Sequence, residues 1–169
     1  MILHLTDRLA KKLGETYLAA GRVGRDKFSD WSACLFTADR TQYILFSNTA
    51  TLYSMVSYGA GVTDGNRLIH DLIDTMRDVT KRDGLEAVYD ARIARGFNTF
   101  SFTKALEGTV AGGLSELVSV AKLHLASGEI SPYDVSFVLN DVPLSYLKGQ
   151  RPLEAFCRIS KKPILVRSS

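Results

Sequence analysis

The chain opens on short-range alternation. Ile2-Leu-His-Leu predicts a short strand, and Thr6 then stands as the N-cap of a helix running to Leu13. Leu9, Ala10 and Leu13 share one face of that helix, and Gly14 stops it. Gly21 to Asp30 is polar, with Arg22, Arg25 and Lys27, and reads as a loop. Three runs rich in aromatic and branched residues follow, at Trp31 to Thr37, Gln42 to Ser47 and Leu52 to Tyr58. Ala38-Asp39-Arg40-Thr41 links the first two as a hairpin, and Asn48-Thr49-Ala50 is the turn before the third. Links this short predict antiparallel neighbours.

Beyond Gly59, Gly61 and Gly65 the period changes from two to about 3.6. Leu68, Ile69, Leu72, Ile73, Met76 and Val79 form a continuous stripe, which predicts a helix from about Asn66 to Asp83 with Gly84 behind it. A shorter helix is expected over Leu85 to Arg95, and a fourth main strand over Phe97 to Thr103. Val110, Leu114, Leu117, Val118, Ala121 and Leu125 keep helical spacing through Glu107 to Ala126, ended by Gly128. Ser131-Pro132-Tyr133-Asp134 combines an N-cap, a proline at the first helical position and a carboxylate three residues on. It starts a short helix to Leu139, broken by Asn140-Asp141-Val142-Pro143.

The expected fold is α+β: a mainly antiparallel sheet packed against two long amphipathic helices lying across one of its faces. No linker, repeat or low-complexity tract divides the chain, so residues 1–169 are read as one globular domain with a basic C-terminal segment from about 148.

Composition changes this picture little. With 46% hydrophobic and 23% charged residues the chain has the profile of a folded domain, not a disordered one. No apolar run approaches the ~20 residues of a membrane span, and no signal peptide is visible at the start, so a cytoplasmic location is expected. Cys34 and Cys157 form no Cys-x-x-Cys pair, which excludes zinc-ribbon and thioredoxin-like motifs. The net charge of +3 is concentrated at the end. From Pro143 onward, Lys148, Arg151, Arg158, Lys161, Lys162 and Arg167 face Glu154 alone. These six are the candidate nucleic-acid or anion contacts, against the plainer reading of a solvated tail.

Signatures of chemistry are absent. His4, His70 and His124 are scattered, with no histidine or cysteine at metal-ligand spacing, so no metal site and no cofactor is expected. No P-loop occurs, and Gly59 to Gly65 lacks the order of a dinucleotide fingerprint. Nothing resembles Gly-x-Ser-x-Gly. Asp71, Asp74 and Asp78 with Arg67, Arg77 and Lys81 make an ordinary solvated helix face. The small residues of Gly108-Thr-Val-Ala-Gly-Gly-Leu-Ser115 carry a helix-propensity penalty of about 1 kcal/mol per glycine. Close packing on the sheet accounts for them, or a binding surface at the helix start.

Several landmarks carry a resemblance: Ile2-Leu-His-Leu-Thr-Asp-Arg-Leu9, Trp31-Ser-Ala-Cys-Leu35, Tyr43-Ile-Leu-Phe-Ser-Asn48 and Thr51-Leu-Tyr53. Ser131-Pro-Tyr-Asp134, Leu139-Asn-Asp-Val-Pro143 and Pro152-Leu-Glu-Ala-Phe156 extend it. Together they resemble an uncharacterised bacterial family, domain of unknown function six-nine-three-three. The resemblance implies plasmid or phage surroundings and supplies no agreed activity. Where that family carries a basic residue and a Ser-Val-Leu-Gly-Ser-like stretch before the long helix, this chain has Gly108 to Gly113.

Two functional readings follow. The first is a small non-enzymatic interaction or regulatory protein, in a toxin–antitoxin or phage-defence setting, with a protein partner, nucleic acid or a second copy of itself. The alternative is an enzyme or small-molecule binder with a pocket between the sheet and the start of the 107–126 helix. Trp31, Asn48, Tyr53, Thr103 and Lys104 are its candidate lining, since polar and aromatic groups there adjoin apolar runs.

Overall fold

The structure, a computed structural model, describes residues 1–161. Among the described residues five strands make one sheet: β1 (Ile2–Leu5), β2 (Asp30–Ala38), β3 (Thr41–Asn48), β4 (Ser54–Tyr58) and β5 (Ser101–Lys104), in the order β4-β3-β2-β1-β5. The β2–β3–β4 meander is antiparallel, as its short links require. Asp39 and Arg40 close the β2–β3 hairpin with positive φ at both residues, the backbone that matches strand twist in a two-residue turn. β1, however, pairs parallel with both β2 and β5. The α+β class therefore stands, with a mixed sheet. The parallel pairs arise because the chain leaves β1 through a helix and a long loop, and returns to β5 only after two more helical segments.

The helices are α1 (Asp7–Leu13), α2 (Gly65–Arg82), α3 (Glu86–Val88), α4 (Thr109–Leu125), α5 (Pro132–Asp141) and α6 (Pro152–Ser160). The stripes of α2 and α4 do face the sheet, but from opposite sides. Leu68, Leu72, Met76 and Val79 of α2 join Leu3, Leu5, Trp31, Ala33, Ile44 and Phe46 in one core. Leu114, Leu117, Ala121 and Leu125 of α4 join Cys34, Phe36, Tyr43, Leu45 and Val56 in the other. This corrects the expectation of both helices on one face. Alternation is the cause: successive β2 residues point to opposite sides and nearly all are buried, so both faces need a cover. Cys34 and Cys157 consequently lie in different cores.

Boundaries shift locally. Asp64, not a later residue, caps α2 by accepting from Arg67 N–H. Ser131 caps α5 by accepting from Asp134 N–H at 3.1 Å, with Pro132 in the first turn, as the motif predicts. The helix expected over Leu85 to Arg95 is a short α-turn that widens into a π-turn at Tyr89–Ile93 and tightens into 3-10 at Ala94–Asn98. That 3-10 segment takes up the start of the expected Phe97 strand. A helix absent from the sequence reading, α6, occupies part of the segment read as a basic tail, and buries Phe156 and Cys157.

β4 is an edge strand, and α5 lies along it. Val56 N–H donates to Ser136 Oγ at 2.9 Å, and Ser54 N–H donates to Asn140 Oδ1 at 2.7 Å. Asn140 Nδ2 returns a bond to the Ser54 carbonyl at 2.8 Å. Helix side chains thus stand in for a sixth strand.

Candidate functional site

Two features, both on the α4 face of the sheet, gather polar groups. The first is a cleft. α1 follows β1 and packs on one face; α4 follows the adjacent, parallel β5 and packs on the other. Where chains leaving neighbouring parallel strands diverge in this way, a crevice opens at the carboxyl ends of the strands. Here it has a volume of about 450 Å³. Thr6 enters from the β1–α1 connection, Arg8 from the first turn of α1, and Ala105 and Leu106 from the β5–α4 connection. β2 outruns β1 and supplies Cys34 and Phe36 as an apolar floor. α4 supplies Ala111, Leu114, Ser115, Val118, Ser119 and Lys122, spaced three and four apart on one face.

The cleft is therefore greasy at its base, lined with hydroxyls along one wall and cationic at two points. Arg8 is exposed and donates to Thr37 Oγ1 at 2.9 Å. Among the described residues the Thr6 hydroxyl has no hydrogen-bond partner. Burial pushes the Cys34 thiol up to about 12, so it sits in the floor as an uncharged, unreactive group. Of the glycines in the α4 start, Gly113 is required by packing: a Cβ there would come within 2.6 Å of Leu52 Cδ1. The adjoining small positions Ala111, Ser115 and Ser119 leave the groove open.

The second feature is a buried polar network around His4 of β1. His4 is 0% and Asp30 2% exposed. Register places His4 between Ser32 and Thr103, and Asp30 one pleat away on the same face. His4 Nε2 lies 2.9 Å from Asp30 Oδ1, and His4 Nδ1 lies 2.6 Å from Thr103 Oγ1. Asp30 also accepts from Thr49 Oγ1 at 2.5 Å and from the Gly24 amide. The 15–26 loop covers the network, with Gly21 so close to Lys104 and His4 that a side chain there would collide with the Lys104 carbonyl.

Burial by itself would raise the Asp30 carboxyl. The hydrogen bonds from His4, Thr49 and Gly24 together outweigh it and hold the group below its ordinary value. A carboxyl lowered in the folded state stabilises the fold fully above its unfolded value of ~3.9 and loses that contribution as pH falls through the folded value. We expect the melting temperature to drop on acidification below about pH 4, in that window. An Asp30→Asn variant should have a lower melting temperature at pH 7 and a flatter acid limb. A variant limb as steep as the native one would remove Asp30 from the account.

Sequence-predicted residues divide sharply. Trp31, Asn48 and Tyr53 are not among the residues that line this cleft: each is fully buried. Trp31 Nε1 donates to the Phe28 carbonyl at 2.9 Å, and Tyr53 Oη donates to Asp83 at 2.6 Å. Asn48 ties the turn after β3, accepting from Thr51 N–H and donating to the Lys27 carbonyl. Strand alternation directs Trp31 to the α6 side, away from α4, and Tyr53, just before β4, packs there too. Thr103 belongs to the His4 network, and Lys104 is exposed on the next position of the edge strand.

Among the basic residues, Arg151 is engaged at the start of α6, 2.7 Å from Glu154 and 3.8 Å from Asp141. Lys148, Arg158 and Lys161 are exposed, while Lys162 and Arg167 lie outside the described residues. None of the five expected lining residues is among those that line this cleft. The missed signal is the run of small residues at Ala111, Ser115 and Ser119, four apart on an otherwise apolar helix.

Among the described residues no group of three or more His, Cys, Asp or Glu side chains could hold a metal ion, and no helix is long and apolar enough to cross a membrane. Compared with known proteins, residues 2–155 match the family described as Domain of unknown function (DUF6933). No curated protein matches the chain.

Proposed function

The chain belongs to the DUF6933 family, and we propose that it binds a small amphipathic anion in the cleft between β2 and α4. The observation that carries this reading is the cleft itself, sited where α1 and α4 part to opposite faces. Its volume of about 450 Å³ falls within the roughly 300–1,000 Å³ usual for small-ligand sites. The floor of Cys34, Phe36, Leu106 and Leu114 suits an apolar body. Arg8 and Lys122 suit a carboxylate, sulfonate or phosphate head, and Ser115 and Ser119 add hydrogen-bonding capacity beside it.

Anilinonaphthalene sulfonate, an aromatic anion, tests the proposal directly. The native chain should enhance its fluorescence saturably. Ala111→Trp fills the cleft from the α4 wall and should abolish the enhancement. Arg8→Ala and Lys122→Ala should each weaken binding about tenfold, or ~1.4 kcal/mol, with the loss reduced at high salt. A dark native chain, or an Ala111→Trp variant that binds as well as the native one, would sink the reading.

A further inference from the structure

We infer that Thr103, His4 and Asp30 form a hydroxyl–imidazole–carboxylate relay that makes Thr103 an acylatable nucleophile toward carboxylic esters. This activity goes beyond ligand binding in the cleft and does not depend on it. A serine- or threonine-type nucleophile needs a base within hydrogen-bond reach and a third group that orients the base. All three are here in series, at 2.6 Å from Thr103 Oγ1 to His4 Nδ1 and 2.9 Å from His4 Nε2 to Asp30 Oδ1.

The accepting pattern at Asp30 sets the tautomer. The carboxylate takes bonds from Thr49 Oγ1 and Gly24 N–H, and as an ionised acceptor it takes the Nε2 proton of His4. Nδ1 of a neutral His4 is then a lone-pair acceptor, aimed at the Thr103 hydroxyl. The Lys104 carbonyl, at 3.1 Å, is a competing acceptor for the same hydroxyl proton, and the shorter contact to His4 Nδ1 is the one the relay uses. Asp30 and His4 are buried, and Thr103 is half-buried on the edge strand.

In the reaction, Thr103 Oγ1 bonds to the ester carbonyl carbon as its proton passes to His4 Nδ1. The imidazolium so formed is stabilised by the Asp30 carboxylate. Collapse breaks the ester C–O bond, and the departing alkoxide takes the proton from His4 and leaves as the alcohol. Water then adds to the threonyl ester by the same path, releasing the carboxylic acid and restoring the hydroxyl. No redox partner is involved, and charge balances at each step.

Diisopropyl fluorophosphate tests the relay, since attack by Thr103 forms a P–O bond and expels fluoride. Intact chain treated at pH 8 should carry one diisopropylphosphoryl group, mapped by peptide mass spectrometry to Thr103. Thr103→Ala should abolish it, Thr103→Ser should retain or increase it, and Asp30→Asn should cut its rate at least tenfold. The two Thr103 variants change a half-buried edge-strand side chain, and matching thermal melts confirm their fold, so the test does not hinge on Asp30→Asn being stable. With 4-nitrophenyl acetate the native chain should show a nitrophenolate burst that Thr103→Ala lacks. Absence of label on Thr103, or equal labelling in urea-denatured chain, overturns the inference and leaves His4–Asp30 as a purely structural pair.

Discussion

Truncating Phe156 to alanine is expected to destabilise the chain by about 3–5 kcal/mol, the range for a fully buried phenyl ring. The ring is 0% exposed and is the point where α6 meets the sheet. It stacks on Tyr53 at 4.6 Å between centroids, meets Phe28 edge-on at 5.8 Å and lies 6.5 Å from Trp31. Alanine removes the dispersion contacts of all three neighbours and leaves a cavity that strand backbones on one side cannot collapse to fill. Against a total stability of ~5–15 kcal/mol for a domain of this kind, the loss is a large share. Urea denaturation should show the midpoint falling steeply. Ile159→Ala, at a half-buried position of the same helix, serves as the milder comparison. A Phe156→Ala midpoint no lower than that of Ile159→Ala would mean that α6 is not part of the core. Because Phe156 packs on the face opposite α4, the folded fraction of this variant should still bind anilinonaphthalene sulfonate with native affinity.

The same helix explains what could be read from sequence and what could not. α2 and α4 announce themselves because each repeats its apolar stripe over many turns. α6 has one short seam of Leu153, Phe156, Cys157 and Ile159, and its flanking cations read as a tail. Local signals held where the physics is local: the Ser131 cap, the Pro132 start, the Asp39-Arg40 turn and the antiparallel meander. What failed was non-local. Nothing in Ile2-Leu-His-Leu states that β1 is a central strand with parallel neighbours on both sides, since its partners begin at residues 30 and 101. That pairing sends α4 to the far face, opens the cleft, and brings His4 within reach of Asp30 and Thr103. A lone histidine in a strand is ordinarily structural, and burial agrees with that; the hydroxyl on its other nitrogen appears only in the register. The candidate lining failed for a related reason: large aromatics such as Trp31 and Tyr53 mark the core more often than a pocket. The groove was written in small residues instead.

Replacing Asn140 with alanine should cost about 2–6 kcal/mol although it removes no apolar surface. The Asn140 amide answers both backbone groups of Ser54, accepting from its N–H and donating to its carbonyl. All of these atoms are buried, so alanine leaves a donor and an acceptor without water or partner, at about 1–3 kcal/mol each. Asn140→Asp keeps the shape and separates the two bonds: a carboxylate can accept from the N–H but has nothing to donate to the carbonyl, and adds a buried charge. It should be at least as damaging at pH 7. Ser136→Ala removes the next contact along, the acceptor for Val56 N–H, and with one orphaned group it should cost about half as much. The variants also uncover a strand edge, so they should aggregate on partial unfolding more readily than Phe156→Ala at equal loss of stability. Paired urea titrations and light scattering check both statements. A cost under ~1 kcal/mol for Asn140→Ala would show that water or strand movement can serve Ser54 as well as the helix does, and the reading of α5 as a surrogate strand would fail.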